Sequence, residues 1–258
     1  MTEESETAAA SPPRLAWQVA SVVETRQETP RAHTLVLDVP GWRGHRAGQH
    51  VDVRLVAEDG YQAQRSYSIA SAPENPRIEL TIERLDDGEV SPYLCDVLHA
   101  GDGVEVRGPI GGYFVWSSRD EGPVFLIAGG SGIVPLMAML RHRAHAASEL
   151  RSRSRMHLLY SARTVSDIIY IRELADLSND GETRVTFTLT REPASSDWKG
   201  ERRRIDRAML EAAGWPAKEG SLSYVCGPTP FVEAAANLLV EIGYDASRIR
   251  TERFGPTS

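Results

Sequence analysis

Cysteine is nearly absent from this chain: Cys95 and Cys226, far apart in sequence, are the only two. Two thiols cannot build a four-cysteine iron–sulfur or zinc centre, so no metal site is expected. They also give no disulfide framework, and a reducing, cytoplasmic setting is the expectation. Long apolar runs are missing too. Stretches such as Val124 to Ala128 are of strand length, far short of the roughly 20 residues a membrane helix needs, so no membrane partner is expected. Nor is there a basic surplus. The 29 Lys and Arg are outnumbered by 36 Asp and Glu, a net charge of −7, which argues against nucleic acid as the main partner. The opening MTEESETAAASP is acidic and small, unlike the basic and apolar plan of a signal peptide. Residues 1–13 read as a disordered tail.

What is present is a globular composition, 41% hydrophobic and 25% charged, over 258 residues. That suits one large domain or two ordinary ones. Through about Trp116 the pattern is strand-like: AWQVASVVET, HTLVLDV, HVDVRLV, RSYSIA and IELTIERL are rich in Val, Ile, Leu and Thr. Turn signals separate them, among them Pro40-Gly41, Asp59-Gly60 and Asp87-Gly88; an Asp-Gly pair suits a hairpin. A short helix is predicted over Ser91 to Leu98, with Ser91 or its neighbour as cap. Five or six strands at this spacing predict a small antiparallel barrel. After the polar stretch 117–122 the rhythm changes. Strands PVFLIA, MHLLYSA, RVTFTLT, LSYVCG and RIRTERF alternate with helices running from Gly132 to about Ala147 and over Asp167–Leu177, Asp206–Ala213 and Phe231–Ile242. Such alternation predicts βαβ units on a parallel sheet. The expected domains are 14–117 and 123–258.

Four motifs carry chemistry. In Arg65-Ser66-Tyr67-Ser68, Arg65 and Tyr67 share a strand face, offering a phosphate donor beside an aromatic platform; alone, it is equally a strand with a solvated Arg. Gly88-Glu89-Val90-Ser91 turns into the short helix and presents backbone N–H groups to an anion, or is simply a capped helix start. Gly129-Gly130-Ser131-Gly132 follows a buried strand and opens a helix, the context of a dinucleotide turn, although it is not GxGxxG. Cys226-Gly227-Pro228 ends a strand at the carboxyl edge of the sheet, where open α/β sheets bind ligands; a buried core cysteine is the plainer reading.

The ordered set RSYS, GEVS, RGPIGGYF, AGGSGIVP and CGP resembles the ferredoxin–NADP⁺ reductase family from about Leu15 to Thr257. The resemblance implies a six-stranded flavin-binding barrel followed by a nucleotide-binding α/β domain. It implies FAD, with FMN less favoured, as cofactor, and an NAD(P)H oxidoreductase activity. By it, Arg65 and Ser66 lie at the flavin phosphates, Tyr67 packs on the isoalloxazine, and Ser68 lies near its reactive nitrogen. Gly88, Val90 and Ser91 would bind the pyrophosphate. Gly129, Gly130, Ser131, Gly132, Gly227 and Pro228 would form the nicotinamide-nucleotide site, with Ser131 where Thr is more usual. Cys226 would orient the hydride donor, Glu252 would tune charge or relay a proton, and Phe254 would cover the flavin, although the chain continues past it.

The second strand of the α/β domain ends Tyr160-Ser161-Ala162-Arg163, without the carboxylate an NAD site often carries. Arg163, Arg191 and Arg204 resemble the 2′-phosphate grip of NADPH-using members, and guanidinium suits that dianion. NADPH is favoured and NADH stays open. With no ferredoxin-type cysteine cluster, electrons are expected to leave for a separate ferredoxin, flavodoxin or oxygenase component. Arg141 to Arg155 and Lys199 to Arg207 are candidate docking stretches. A non-catalytic electron-transfer subunit and a flavin reductase without a protein acceptor are the competing readings.

Overall fold

The computed structural model describes residues 15–255 apart from positions 180 and 182; the tail 1–13 lies outside them. Six strands form one antiparallel sheet: β1 (Gln18–Thr29), β2 (Ala32–Asp38), β3 (His50–Val56), β4 (Gln62–Ser68), β5 (Ile78–Glu83) and β6 (Gly103–Ile110), in the order β4-β3-β6-β1-β2-β5. Its two ends meet through a bridge between Ile69 and Leu80, which curls the sheet into a barrel and removes its free edges. Inward residues alternate along each strand, so Leu35, Leu37, Val51, Val53, Leu80, Ile82, Val104 and Val106 fill one core. Asp59-Gly60 makes the predicted hairpin: Val56 pairs with Gln62, and Gly60 takes φ +86°.

Helix α1 spans Ser91–Asp96 and plugs the barrel with Leu94. Ser91 is its first residue, not its cap. The cap is the buried Val90, and the Ser91 hydroxyl turns back to accept the Leu85 N–H at 3.0 Å. Strand β6 had no separate sequence signal, because Gly103, Gly108 and Pro109 break its apolar alternation.

The second sheet contains β7 (Val124–Gly129), β8 (Met156–Ala162), β9 (Thr183–Leu189), β10 (Leu222–Pro228) and β11 (Ile249–Phe254), all parallel, in the order β11-β10-β7-β8-β9. Helices α2 (Ile133–His145), α3 (Ser148–Arg153), α4 (Ile171–Ser178), α5 (Arg207–Ala213) and α6 (Thr229–Glu241) connect them. Every residue of β7 is buried, as a central parallel strand with both faces covered requires. From β7 the chain winds outward to β9 and then returns to β10, so a switch point lies between the carboxyl ends of β7 and β10. Open α/β sheets bind ligands in such a crevice.

Two departures concern helices. The segment expected to be helical from Asp167 begins as a 3-10 turn, because Thr164 and Asp167 cap each other; α4 starts only after Tyr170, which adopts φ 60°. In helix α3, SELRSR, none of the residues whose burial is described is buried, which leaves little amphipathic signature to read.

The two domains share one core. Ala32, Ala47, Ala70, Phe114 and Trp116 of the barrel side pack in the same cluster as α2 and one face of the second sheet. Helix α2 is buried almost all round, because sheet and barrel sandwich it. Gly48, at φ +97°, is needed here: a Cβ would lie 2.0 Å from the Phe114 carbonyl oxygen and 2.9 Å from Met139 Cε.

The basic stretch from Arg141 to Arg155 is not a free docking surface. Arg141 reaches out of α2 into the barrel, donating to Glu79 (2.9 Å) and the Ala70 carbonyl (2.9 Å) while pairing with Glu173 at 2.7 Å. Arg143 is 1% exposed and donates to the Ser154 carbonyl and the Thr183 hydroxyl. Arg153 pairs with Glu121, and Arg155 lies over the Trp215 ring. The apolar surroundings that bury the first two come from residues distant in sequence.

Arg141→Ala removes the donors that tie Glu79, the Ala70 carbonyl and Glu173 together, leaving Glu79 with Arg26 alone, and is expected to cost roughly 3 kcal/mol. Arg153→Ala removes only an exposed pair and should cost less than about 1 kcal/mol. Urea denaturation of both variants measures the difference; equal costs would contradict the clamp.

Candidate active site at the domain junction

Strand β4 pairs with β3 in a register that sets Arg65 opposite Val53 and Tyr67 opposite Val51. Arg65 and Tyr67 therefore share a face, as their spacing predicts. Tyr67 is half-buried against the barrel core, and burial pushes its phenol pKa up. Arg65 is exposed at the rim. Its guanidinium donates to the Gln64 carbonyl at 2.7 Å and to the Glu89 carboxylate at 2.9 Å. Glu89 also accepts the Tyr61 hydroxyl at 2.9 Å. Ser66 faces the other way, donating to Asp52 at 2.6 Å, and Asp52 in turn accepts from Arg107 at 2.7 Å. The Gly88–Ser91 turn folds tightly on itself: a Cβ at Gly88 would lie 2.9 Å from Ser91 Oγ.

On the other side of the junction stands the glycine turn after β7. Gly130 has φ +55°, and a Cβ there would meet nothing closer than a Glu83 carboxylate oxygen at 4.0 Å. Gly132 is the opposite case, since a Cβ would sit 2.2 Å from the Cys226 carbonyl oxygen. Ser131 donates its hydroxyl to Glu83 at the end of β5, 2.8 Å away. Sequence reasoning missed Glu83, because nothing local marks a barrel carboxylate that meets a turn nearly fifty positions later.

Cys226, two residues before the end of β10, lies directly beside Glu252 on β11. Burial, with the neighbouring Glu252 carboxylate, pushes its thiol pKa well up. The sulfur therefore stays protonated and is a poor nucleophile. Burial raises Glu252 to about 7, against a lowering hydrogen bond from Ser68. That bond, Ser68 Oγ to Glu252 Oε1 at 3.4 Å, joins the barrel to the sheet across 184 residues. Ser68, Cys226 and Glu252, chosen from three separate motifs, are thus brought together.

A cleft of about 190 Å³ opens beside them, with Arg31 and Glu83 on the barrel wall and Gly130, Arg163, Phe231 and Phe254 on the sheet wall. The Arg191 N–H donates to the Arg163 carbonyl at 2.8 Å, so the ends of β8 and β9 carry these two cations side by side. Arg204 is exposed on the segment after residue 201, which bridges to Thr188 of β9. Among the described residues none of Arg163, Arg191 and Arg204 forms an ion pair, whereas Arg203 is held by Glu201 and Asp206. Two neighbouring carboxylates have other partners: Asp167 accepts from the Thr164 N–H and hydroxyl, and Glu192 from the Val165 N–H at 2.9 Å.

These features fit a flavin and a nicotinamide nucleotide. Glu89 occupies Arg65 as a phosphate would, Gly130 leaves its backbone open to close approach, and Arg163, without an ion pair among the described residues, lines the cleft.

Residues 20–115 match the model of an oxidoreductase FAD-binding domain, and residues 126–237 that of an oxidoreductase NAD-binding domain. The chain is 33% identical over 240 residues to the glycine betaine monooxygenase reductase subunit of Chromohalobacter salexigens, covering 91% of this chain but only 63% of that protein. It is 32% identical over 222 residues to ferredoxin–NADP reductase B of Sorangium cellulosum, covering 81% of this chain and 84% of that one. The chain belongs to the ferredoxin–NADP reductase family. Among solved structures, an Amycolatopsis cytochrome P450 reductase superposes with a TM-score of 0.79 at 28% identity, over 98% of this chain and 74% of its own. The barrel and parallel sheet described above are the two-domain fold of ferredoxin–NADP reductases, and the chain carries FAD-binding and NAD-binding domains of the oxidoreductase type.

The Glu252 shift sets a pH dependence. In the unfolded chain this carboxyl ionises near 4.5, in the folded one near 7. Its contribution to stability is therefore fully present below pH 4.5 and is lost as pH rises through 7. Glu252→Gln, which cannot ionise, should gain on the parent between pH 4.5 and 7 and keep a constant advantage above. Urea midpoints at pH 5 and pH 8 read this; the same difference at both would place Glu252 in water.

Proposed function

We propose that the chain takes hydride from NADPH onto FAD and passes the electrons to a separate acceptor protein. The observation that carries this reading is the Ser68–Glu252 hydrogen bond across the domain junction, with the Cys226 thiol beside it. It puts the expected flavin side and the expected nicotinamide side of the reaction within contact distance, which orientation-driven catalysis requires.

Bound flavin and reduced nicotinamide supply the redox chemistry, linking a two-electron donor to an acceptor that takes electrons singly. The chain's residues bind and orient. Arg65 and the 88–91 turn hold the flavin phosphates, Tyr67 gives the ring its platform, and Ser66 keeps β4 in place through Asp52. Glu252, protonated up to about neutral pH, holds a proton that Ser68 can share. Cys226 packs without charge against the hydride donor. Gly129 to Gly132, with Gly227 and Pro228, let the nucleotide backbone approach the sheet, and Phe254 covers the cleft mouth. Arg163, Arg191 and Arg204 take the 2′-phosphate, a role supported by their lack of ion pairs among the described residues.

The acceptor is an oxygenase component or a small electron carrier such as ferredoxin or flavodoxin. Two relatives support it: the glycine betaine monooxygenase reductase subunit of Chromohalobacter salexigens and the propane 2-monooxygenase reductase component of Rhodococcus jostii. No helix among the described residues is long and apolar enough to cross a membrane. We take 14–117 as the flavin-binding domain and 123–258 as the nucleotide-binding domain.

The test is an anaerobic absorption titration of the purified, FAD-loaded protein. Micromolar NADPH should bleach the flavin band, with NADH slower. Arg163→Ala should weaken NADPH about tenfold or more and leave NADH within about threefold. Faster bleaching by NADH would keep the enzyme and overturn the nucleotide assignment. Failure to bind any flavin would overturn the whole reading.

A further inference from the structure

The residue that sits on Arg65 is a carboxylate. Glu89 receives the Arg65 guanidinium at 2.9 Å and, through its other oxygen, the Tyr61 hydroxyl at 2.9 Å. Two residues hold it from opposite sides, so its place beside Arg65 is defined. The rest of the turn adds more negative charge. Asp86 pairs with Arg31 and Arg84, and Asp87 precedes Gly88. A turn meant to receive phosphate carries, in Asp86-Asp87-Gly88-Glu89, three carboxylates. Arg65 with Glu89 together present no net charge to an incoming anion.

We propose that Glu89 is a specificity residue that selects FAD over FMN. This rests on the reading that Arg65 and the 88–91 turn hold the flavin phosphates. A terminal phosphate, as in FMN, carries about −1.5 to −2 charges at neutral pH. Each phosphate of a pyrophosphate diester, as in FAD, carries only one. Both flavins must draw Arg65 away from Glu89, but the terminal phosphate then lies beside a fixed carboxylate with the larger repulsion. Once released by Arg65, the Glu89 oxygens need donors. FAD would bring the hydroxyls of its adenosine ribose beyond the phosphates as candidate donors, a group that FMN lacks. Tyr61 keeps the carboxylate in position throughout.

The test is equilibrium binding of FAD, FMN and riboflavin to the flavin-free protein and to Glu89→Gln, read by quenching of flavin fluorescence. Riboflavin, without phosphate, reports whether the variant keeps its fold and ring site. The expected result is that Glu89→Gln binds FMN about tenfold more tightly, changes FAD by less than about threefold and leaves riboflavin unchanged. The FMN gain should shrink at high salt, since the pair is exposed and the effect is coulombic. An equal gain for FAD and FMN would mean that Glu89 merely competes for Arg65, and overturns the selection role. No change in either flavin overturns it as well. A parent protein that binds none of the three flavins would remove the underlying flavin reading, an outcome distinct from binding without discrimination.

Discussion

Arg141 belongs to a helix on the parallel-sheet side of the junction, yet its guanidinium is satisfied from both sides of it. It bonds Glu79 and the Ala70 carbonyl on one side of the junction and Glu173 on the other, and Glu79 is shared with Arg26 of β1. Close by, the Tyr170 hydroxyl bonds Thr81 on β5, and the Arg141 guanidinium lies over the Tyr170 ring. A guanidinium with little solvent access is stable only if its donors and its charge are met together. Relative movement of the two domains would undo both. β5 is thereby fixed against the second sheet, and its far end delivers Glu83 to Ser131. The same constraint brings β4 near β11, so that Ser68 can reach Glu252.

Charge is distributed around this junction in a consistent way. At the expected hydride path the groups are neutral or nearly so: a protonated thiol at Cys226, a carboxyl titrating near 7 at Glu252, and the Ser68 hydroxyl. A low-charge, partly dry locus strengthens the interactions made there and spares any cost of neutralising a buried ion. Fixed cations stand farther out, at Arg65 on one rim and Arg163 and Arg191 on the other, where solvent moderates their desolvation and ligand phosphates can meet them.

Much of this was readable from local pattern. The two periodicities separated barrel from sheet, the Asp59-Gly60 hairpin formed as read, and the strands HVDVRLV and MHLLYSA kept their limits. The i, i+2 spacing correctly put Arg65 and Tyr67 on one face. The failures have a common physical origin in partners distant along the chain. Arg141 and Arg143 looked like surface charge because burial of an arginine depends on who packs over it. Of the two cap positions read at the α1 start, Ser91 or its neighbour, the neighbour Val90 is the cap, and the Ser91 oxygen is claimed by Leu85. Glu83 and Glu89 were passed over because their significance comes from Ser131, Arg65 and Tyr61.

The shared core also bears on how a nucleotide reaches the flavin side. Opening the domains would expose Ala47, Ala70, Phe114 and Trp116 along with much of α2, apolar surface worth roughly 25 cal/mol per Å², and would break the Arg141 pairs too. Side-chain movement at the cleft mouth is far cheaper. Phe231 lies over Gly129 and Gly227, so close that a Cβ on either would come within 2.8 Å of its ring, and Phe254 ends β11 opposite Pro228. Both rings are only half-buried, and both line the cleft. A ring that turns about χ1 uncovers the glycine backbone without disturbing the domain interface. The rigid junction and the glycines beneath Phe231 are therefore two parts of one arrangement: the first keeps Ser68 and Glu252 in register, and the second leaves the cleft a side-chain route that does not disturb that register.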